Sequence, residues 1–258
     1  MEELHGGRAG EIFKEGNEVL RTASENTVNI QKFLNGLHKE YFVKCPKGFG
    51  IDENGIERLS YLEGNVSNYP LNPEIYNLDM IESAGKLLRE FHDASEKVSE
   101  RMDANINWML ENEKEYEIII HGDYAPYNVV EDNGNAIGII DFDTIYFGKK
   151  ISDISYGIYR WATLFRENSP DRIGDLDIQC EKASRFCEGY GLEKENRKEI
   201  VEVIIKRLEK LIAFMRMKAS EGEANFIENI QDGHDIGYEE DIKYLKLNEK
   251  IIMDRLLQ

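Results

Sequence analysis

The sequence has little cysteine, little histidine, a deficit of basic charge and no long apolar run. Its three cysteines, Cys45, Cys180 and Cys187, are unpaired in pattern and none stands in Cys-x-x-Cys spacing. Neither a disulfide framework nor a thiolate zinc site is therefore expected, and the thiols read as buried. No stretch approaches the ~20 apolar residues that span a bilayer, and Met1 to Gly10 lacks the apolar core of a signal peptide. A soluble cytoplasmic protein with no membrane partner is the expectation. The five histidines, at positions 5, 38, 92, 121 and 234, are too few for a histidine-rich hydrolase metal centre. With 32 basic against 50 acidic residues the formal charge is −18, which repels nucleic-acid phosphates and argues against a nucleic-acid partner. No internal repeat and no low-complexity tract occur.

What is present is a globular composition, 41% hydrophobic and 10% aromatic over 258 residues, enough for a sizeable core in one domain or two lobes. The acid is unevenly spread: residues 1–63 carry 8 basic and 11 acidic side chains, leaving 24 and 39 for residues 64–258. An acid-rich second part would draw in a cationic small molecule, although surplus acid also serves solubility alone.

The chemistry concentrates between Tyr116 and Asp143, YEIIIHGDYAPYNVVEDNGNAIGIIDFD. Glu117 to Ile120 is apolar and β-branched, a short buried strand delivering the loop His121-Gly122-Asp123. Asn133-Gly134 between two apolar runs is a hairpin signal, because both residues tolerate the positive φ of a type I′ turn. With those two residues as the loop, Asn128 pairs opposite Ile139, two residues from Asp141. An amide oxygen and a carboxylate then meet at one end of the hairpin, hard oxygen ligands of the kind Mg²⁺ prefers. Asp123, in the same loop, is left free to take a proton from a hydroxyl.

His121-Gly122-Asp123, four residues, then Asn128 resembles the catalytic loop of the aminoglycoside phosphotransferase and choline kinase-like family. It is also similar to the H-R-D-x-x-x-x-N loop of protein kinases, and Asp141-Phe142-Asp143 stands where those enzymes carry D-F-G. The resemblance implies an α+β, two-lobed protein kinase-like fold, with a small antiparallel-sheet N-lobe (1–63) and a mainly helical C-lobe (64–258). It implies Asp123 as catalytic base, and Asn128 and Asp141, with Asp143 assisting, as Mg²⁺ ligands. ATP or GTP would be the phosphate donor and a hydroxyl of a small molecule, cationic on one reading of the surplus acid, the acceptor. Asp153, in a helix after the D-F-D, corresponds to the residue that buttresses the catalytic loop.

Other stretches carry the resemblance less specifically. Gly6-Gly7-Arg8-Ala9-Gly10 precedes a strand–turn–strand pattern and could cover phosphates with its backbone, Gly7 being the nucleotide-binding candidate within it. Arg21 stands where kinases keep a phosphate-gripping lysine, with Lys14 in reserve. Ser24 is read as the cap of a helix running to about His38, on which residues 28–38 hold no acid to pair with that cation. Glu25 is the local substitute. This departure keeps open a nucleotide-binding pseudokinase, and a protein kinase is a further alternative. Asn54-Gly55 reads as a second hairpin, and Ser60-Tyr61-Leu62 resembles the hinge whose backbone binds the adenine edge.

Downstream, Asp79-x-x-Glu82 resembles a capping box opening a helix, and His92 on its apolar stripe reads as a core histidine. Tyr159 and Trp161 are expected in the core. Asp171, Asp175, Asp177 and Glu181 form an acidic stretch where related enzymes build acceptor pockets, or an ordinary solvated face. A long helix over 195–219, a mobile loop over 225–238 and a last helix over 239–257 complete the expected chain.

Overall fold

The computed structural model describes residues 2–4 and 12–258. The glycine-rich stretch, Gly7 included, lies outside the described residues. The N-terminal part is a five-stranded antiparallel sheet of β1 (Glu2–Glu3), β2 (Ile12–Glu15), β3 (Glu18–Thr22), β4 (Gly48–Ile51) and β5 (Ile56–Ser60), in the order β1-β2-β3-β5-β4. Helix α1 (Thr27–Lys39) joins β3 to β4 and buries Ile30, Phe33, Leu34 and Leu37. Two polar side chains of the helix, Thr27 and Gln31, are buried as well. Gln31 exchanges hydrogen bonds with Gly50, its Oε1 accepting from the Gly50 N–H at 2.7 Å, and so ties helix to sheet.

The C-terminal part is mainly helical. A small antiparallel group, β6 (Asn65–Val66) with β8 (Val129–Asp132) and β9 (Asn135–Ile139), and a pair, β7 (Ile118–Ile120) with β10 (Tyr146–Gly148), carry the central stretch of the sequence. Around them stand α2 (Leu78–Ser99), α3 (Lys150–Trp161), α4 (Leu176–Tyr190), α5 (Ile200–Ser220), α6 (Ala224–Gln231) and α7 (His234–Leu256). The α2–α4 crossing is close enough for backbone to meet backbone. A Cβ on Gly85 would come within 2.3 Å of the Phe186 carbonyl oxygen, and one on Gly189 within 2.0 Å of the Glu82 oxygen. Neither position admits a larger residue without parting the helices.

The core is continuous from α1 through α2 to the helical bundle. Its hub is Phe91, fully buried, whose ring packs 6.3 Å from Phe33 and 5.9 Å from Phe142. This aromatic cluster binds the N-terminal helix, α2 and the Asp141-Phe142-Asp143 turn into one body. Truncating Phe91 to Ala would cost about 3–5 kcal/mol from lost burial and the cavity left behind. Tyr159 and Trp161 are wholly buried, as expected.

Several boundaries differ from the sequence reading. The α1 helix starts at Thr27 after Asn26, because the Thr27 hydroxyl turns back to accept the Ser24 N–H at 2.8 Å; Ser24 is not the cap. The α2 helix is capped by Asn77, which accepts from the Met80 N–H, two residues before the expected cap at Asp79. Asn54-Gly55 is not a two-residue turn: Asp52 Oδ1 accepts from the Asn54 and Ile56 N–H groups and holds a longer loop. The α5 helix begins at Ile200, and most of 225–238 is helical, in α6 and the start of α7. Among the described residues no helix is long and apolar enough to cross a membrane.

Candidate active site

The loop after β7 is positioned by a buried carboxylate. Asp153, near the start of α3, is fully buried and accepts from the His121 and Gly122 N–H groups at 2.8 and 2.9 Å, with His92 Nε2 at 3.1 Å. Tyr190 completes the chain at 2.8 Å from His92 Nδ1. Burial alone would raise the Asp153 pKa; the His92 bond and charge, with His121, outweigh it and hold the carboxyl below its usual range. His92 and Asp153 thus do structural work, in the places the sequence suggested.

Gly122 is required twice. Its φ of +80° favours glycine, and a Cβ would come within 2.4 Å of the Thr144 carbonyl oxygen. Loop and turn therefore touch, and Thr144 Oγ1 donates to the His121 carbonyl at 2.9 Å. His121 adds a bridge to the end of β9, since its Nε2 lies 3.0 Å from the Ile140 oxygen, a group that only accepts. Nδ1 of the same ring then accepts from the Asp123 N–H at 3.3 Å.

Asn133 and Gly134 both take positive φ, 50° and 74°, as a type I′ turn requires. The register expected from that turn holds only beside it, at Asp132↔Asn135 and Glu131↔Ala136. A bulge then shifts it, so that Val129 faces Ile139 and the Ile140 N–H donates to the Asn128 carbonyl at 2.9 Å. Asn128 consequently sits one residue closer to Asp141 than expected. Its Nδ2 donates to Asp123 Oδ2 at 3.0 Å, leaving Oδ1 turned elsewhere. Tyr127 donates to the other Asp123 oxygen, Oδ1, at 2.9 Å. Both oxygens of Asp123 are thereby aimed.

Asp141 adopts left-handed backbone geometry, φ 60° and ψ 67°, uncommon for a residue with a side chain. Enclosure between the surrounding walls, then the like charge of Asp143, push its carboxyl up to about 6, against the opposing pull of Arg21. About half of its side-chain surface, 53%, still faces water. The residues fit a divalent ion in kind, pairing a carboxylate reluctant to ionise alone with the free amide oxygen of Asn128. Among the described residues no three His, Cys, Asp or Glu side chains gather as a metal cluster, so such a site would draw on the amide, solvent and phosphate oxygens.

Arg21 closes the site from above. Its Nη2 and Nη1 reach Asp143 Oδ1 and Oδ2 at 2.6 and 3.1 Å, its Nε reaches Glu57 Oε2 at 2.5 Å, and Asp141 is 3.9 Å away. Burial would lower its pKa, but Asp143 and Glu57 prevail and raise it. The acid partner comes from β5, directly across the sheet in the Arg21↔Glu57 pair. Glu25, the sequence candidate, is exposed and absent from these contacts. The α1 helix takes part only through Gln31, whose Nε2 donates to Glu57 Oε1 at 3.1 Å. A glutamine on the buried face of an apolar stripe was the available signal for this arrangement.

Lys14 is turned away: its Nζ lies 3.5 Å from the Tyr61 ring centroid and 3.6 Å from Glu63. In the hinge-like segment, the Ser60 and Tyr61 N–H groups already donate to the Lys47 and Asn17 carbonyls at 2.8 Å each. Leu62 lies beside the hairpin, within 3.0 Å of where a Cβ on Gly138 would be. The acidic stretch is partly committed, with Asp175 capping α4 and Asp177 paired to Arg255. Tyr127 and Arg207, which donates to the Gly122 carbonyl at 3.0 Å, were not foreseen.

Comparison with known proteins bears on the fold and on the region that carries the site. Residues 69–184 match the model of the phosphotransferase enzyme family. A choline/ethanolamine kinase family protein from Mesorhizobium loti superposes with a TM-score of 0.58, at 13% identity over 95% of this chain and 88% of that one. An amicoumacin kinase in complex with AMP-PNP, Ca²⁺ and Ami gives 0.57, at 14% identity over 86% and 84%. The chain thus has the fold of these small-molecule kinases. Its matched region contains the Asp123 loop, the hairpin and the Asp141 turn. A trifolitoxin immunity protein of Rhizobium leguminosarum bv. trifolii is 26% identical over 210 residues, 78% of each chain. The family-model match points to phosphotransferase chemistry, and the solved structures to the fold.

Proposed function

We propose that the protein is a Mg²⁺-dependent phosphotransferase that moves the γ-phosphate of ATP or GTP to a hydroxyl of a small molecule. The nucleotide lies between an N-lobe of about residues 1–63 and a C-lobe formed by the rest. The observation that carries this is the aimed carboxylate of Asp123, held by Tyr127 and Asn128 on a loop anchored to Asp153. Asp123 takes the acceptor proton, the acceptor oxygen bonds to the γ-phosphorus, and the bond to the bridging oxygen breaks to release the diphosphate. Asn128 and Asp141, with Asp143, would hold Mg²⁺, which neutralises phosphate charge when bound. Arg21 supplies positive charge at the same mouth. Positioning and electrostatics do most of the catalysis in such reactions, so few residues suffice.

The surplus acid of the chain would draw cationic molecules from a distance, which supports a positively charged acceptor only at long range. Likeness to a protein named for immunity to trifolitoxin supports a toxin as one kind of acceptor, with phosphorylation as the means of protection. The test is nucleotide consumption with Mg²⁺ across aminoglycosides, amino alcohols, hydroxy acids and antimicrobial compounds, with wild type and Asp123→Asn side by side. Turnover abolished by Asp123→Asn supports the proposal, and equal turnover in both proteins refutes it.

A second reading, nucleotide binding without turnover, is favoured by one observation: Arg21 is fixed on Asp143 and Glu57 in place of the usual lysine pair. Nucleotide affinity with no consumption across the whole panel would select it.

A further inference from the structure

Two arginines stand by the residues that position Asp123, Arg207 on the Gly122 carbonyl and Arg160 over Tyr127, and among the described residues neither is in contact with a carboxylate, the charge of Asp123 reaching Arg207 only at longer range. Arg207, on α5, donates to the Gly122 carbonyl at 3.0 Å and lies 4.9 Å from the Tyr156 ring centroid. Arg160, on α3, is 8% exposed; its guanidinium lies 5.3 Å from the ring centroid of Tyr127 and donates to the Tyr69 hydroxyl. Its Nε is buried with no acceptor. Among the described residues no carboxylate oxygen comes within 4.0 Å of either guanidinium, whereas Arg21, Arg58 and Arg216 are all paired.

In a chain with formal charge −18, two unpaired cations at one wall are unexpected, because a guanidinium withdrawn from water without a counter-charge is costly. Tyrosine faces compensate only in part. The same wall is aromatic and partly open: Tyr69, 49% exposed, packs its ring 5.7 Å from Tyr127. Tyr127 in turn holds Asp123. A molecule presenting its hydroxyl to Asp123 therefore meets positive charge and flat rings on the acceptor side.

We infer that the acceptor is a hydroxyl compound bearing a carboxylate and a flat apolar group, the carboxylate pairing with Arg207 and the apolar group lying on Tyr69 and Tyr127. This rests on the phosphotransferase reading and deepens it. A polycation is disfavoured at this wall even though the field of the whole chain attracts it. Planar, bidentate recognition of a carboxylate suits arginine. The carboxylate takes no part in the transfer: the hydroxyl proton goes to Asp123, the new O–P bond forms, and the nucleoside diphosphate leaves.

The test uses the full chain with Mg²⁺ and nucleotide, and a matched series of probes: phenyllactate (anion), phenyllactamide (neutral) and phenylalaninol (cation). Affinity is measured by calorimetry, independently of turnover, and nucleotide consumption in parallel. Phenyllactate should bind best, and Arg207→Gln should weaken it at least tenfold while weakening phenyllactamide less than threefold. Nucleotide affinity serves as the check that the variant is folded. Arg160→Gln, followed with a melting curve because the side chain is buried, should weaken phenyllactate in the same direction.

Preference for phenylalaninol, equal affinity across the series, absence of phenyllactate binding, or an Arg207→Gln protein that still discriminates would each overturn the inference. Phenyllactate binding lost in Arg207→Gln, without nucleotide consumption, would support the anion site while removing the phosphotransferase reading. Acetyl-Phe-Ser, with free or amidated terminus, distinguishes a peptide end from a free hydroxy acid as the source. A preference for the free terminus supports the inference equally.

Discussion

Arg21 grips Asp143 with both terminal nitrogens, at 2.6 and 3.1 Å, while its Nε rests on Glu57 at 2.5 Å. One guanidinium thus joins the sheet to the Asp141-Phe142-Asp143 turn. A lysine offers a single ammonium and cannot span both acids. Arg21→Lys is expected to raise the nucleotide KM about tenfold and to lower the melting temperature. Nucleotide titration and thermal melts measure the two effects, and a lysine variant indistinguishable from wild type would deny Arg21 this bridging part.

Glu57 is 0% exposed and its other oxygen is taken by Gln31. Replacing it with glutamine leaves the arginine Nε facing a neutral group in a nearly closed space. Removing one partner of a buried pair costs about 3–5 kcal/mol. The 17% exposure of the Arg21 side chain puts Glu57→Gln toward the lower end, read as a shift in denaturant midpoint with an unchanged slope. Glu25→Gln, at an exposed position, should move neither stability nor nucleotide affinity.

These two predictions also mark where the sequence was legible. The Asn133-Gly134 turn follows from local backbone preference, and Gly122 from a local motif, so both could be read residue by residue. The pairing of Arg21 with Glu57 needs β3 and β5, 36 residues apart, to lie side by side. Spacing along the chain does not encode that. The bulge that brings Asn128 toward Asp141 was equally hidden, because it depends on how the hairpin packs. Tyr127, Arg160 and Arg207 come from a loop and two helices, and only the folded chain brings them to one wall. The helix over Ala224–Gln231 is only eight residues long, buries none of them and runs into Asp232-Gly233, which is why the polar, glycine-containing stretch read as a loop.

Tyr127 and Asn128 hold the two oxygens of Asp123 at 2.9 and 3.0 Å. In the proposed reaction Asp123→Asn removes the proton acceptor and should lower turnover about 10²–10⁴-fold, with nucleotide affinity retained. Tyr127→Phe keeps the base and loses only its alignment, so a fall in kcat of about tenfold is expected, on the scale of one hydrogen bond. Steady-state kinetics with a saturating acceptor separates the two. A Tyr127→Phe fall as deep as that of Asp123→Asn would make the hydroxyl itself part of the chemistry.

Lys182 is 3% exposed; its Nζ donates to the Ile173 carbonyl at 2.9 Å and lies 5.2 Å from the Tyr76 ring centroid. Burial pushes its ammonium down to about 8. Below that pH the folded chain carries the charge at a cost. Between about 8 and the ordinary lysine value of ~10.4 the unfolded chain binds more protons, so this contribution to stability rises with pH. Lys182→Met should stabilise the chain by about 1 kcal/mol at pH 7, and the advantage should shrink by pH 10. Melting curves at the two pH values test this, and a constant gap would contradict it.

Asp141 gives the opposite sign. Its folded pKa of about 6 stands above the ordinary ~3.9, so between those values the folded chain binds more protons and stability falls as pH rises. The penalty is complete above pH 6. With 53% of the side chain exposed, screening should leave it at about 1 kcal/mol. Without metal or nucleotide, Asp141→Asn should therefore melt higher than wild type at pH 7.5, and the two should converge at pH 4. Mg²⁺ with nucleotide should reverse the order at pH 7.5, because the ionised carboxylate then gains a counter-charge that the amide cannot replace. Equal stabilisation of both proteins by Mg²⁺ and nucleotide would remove Asp141 from the metal set and leave Asn128 and Asp143 to hold the ion.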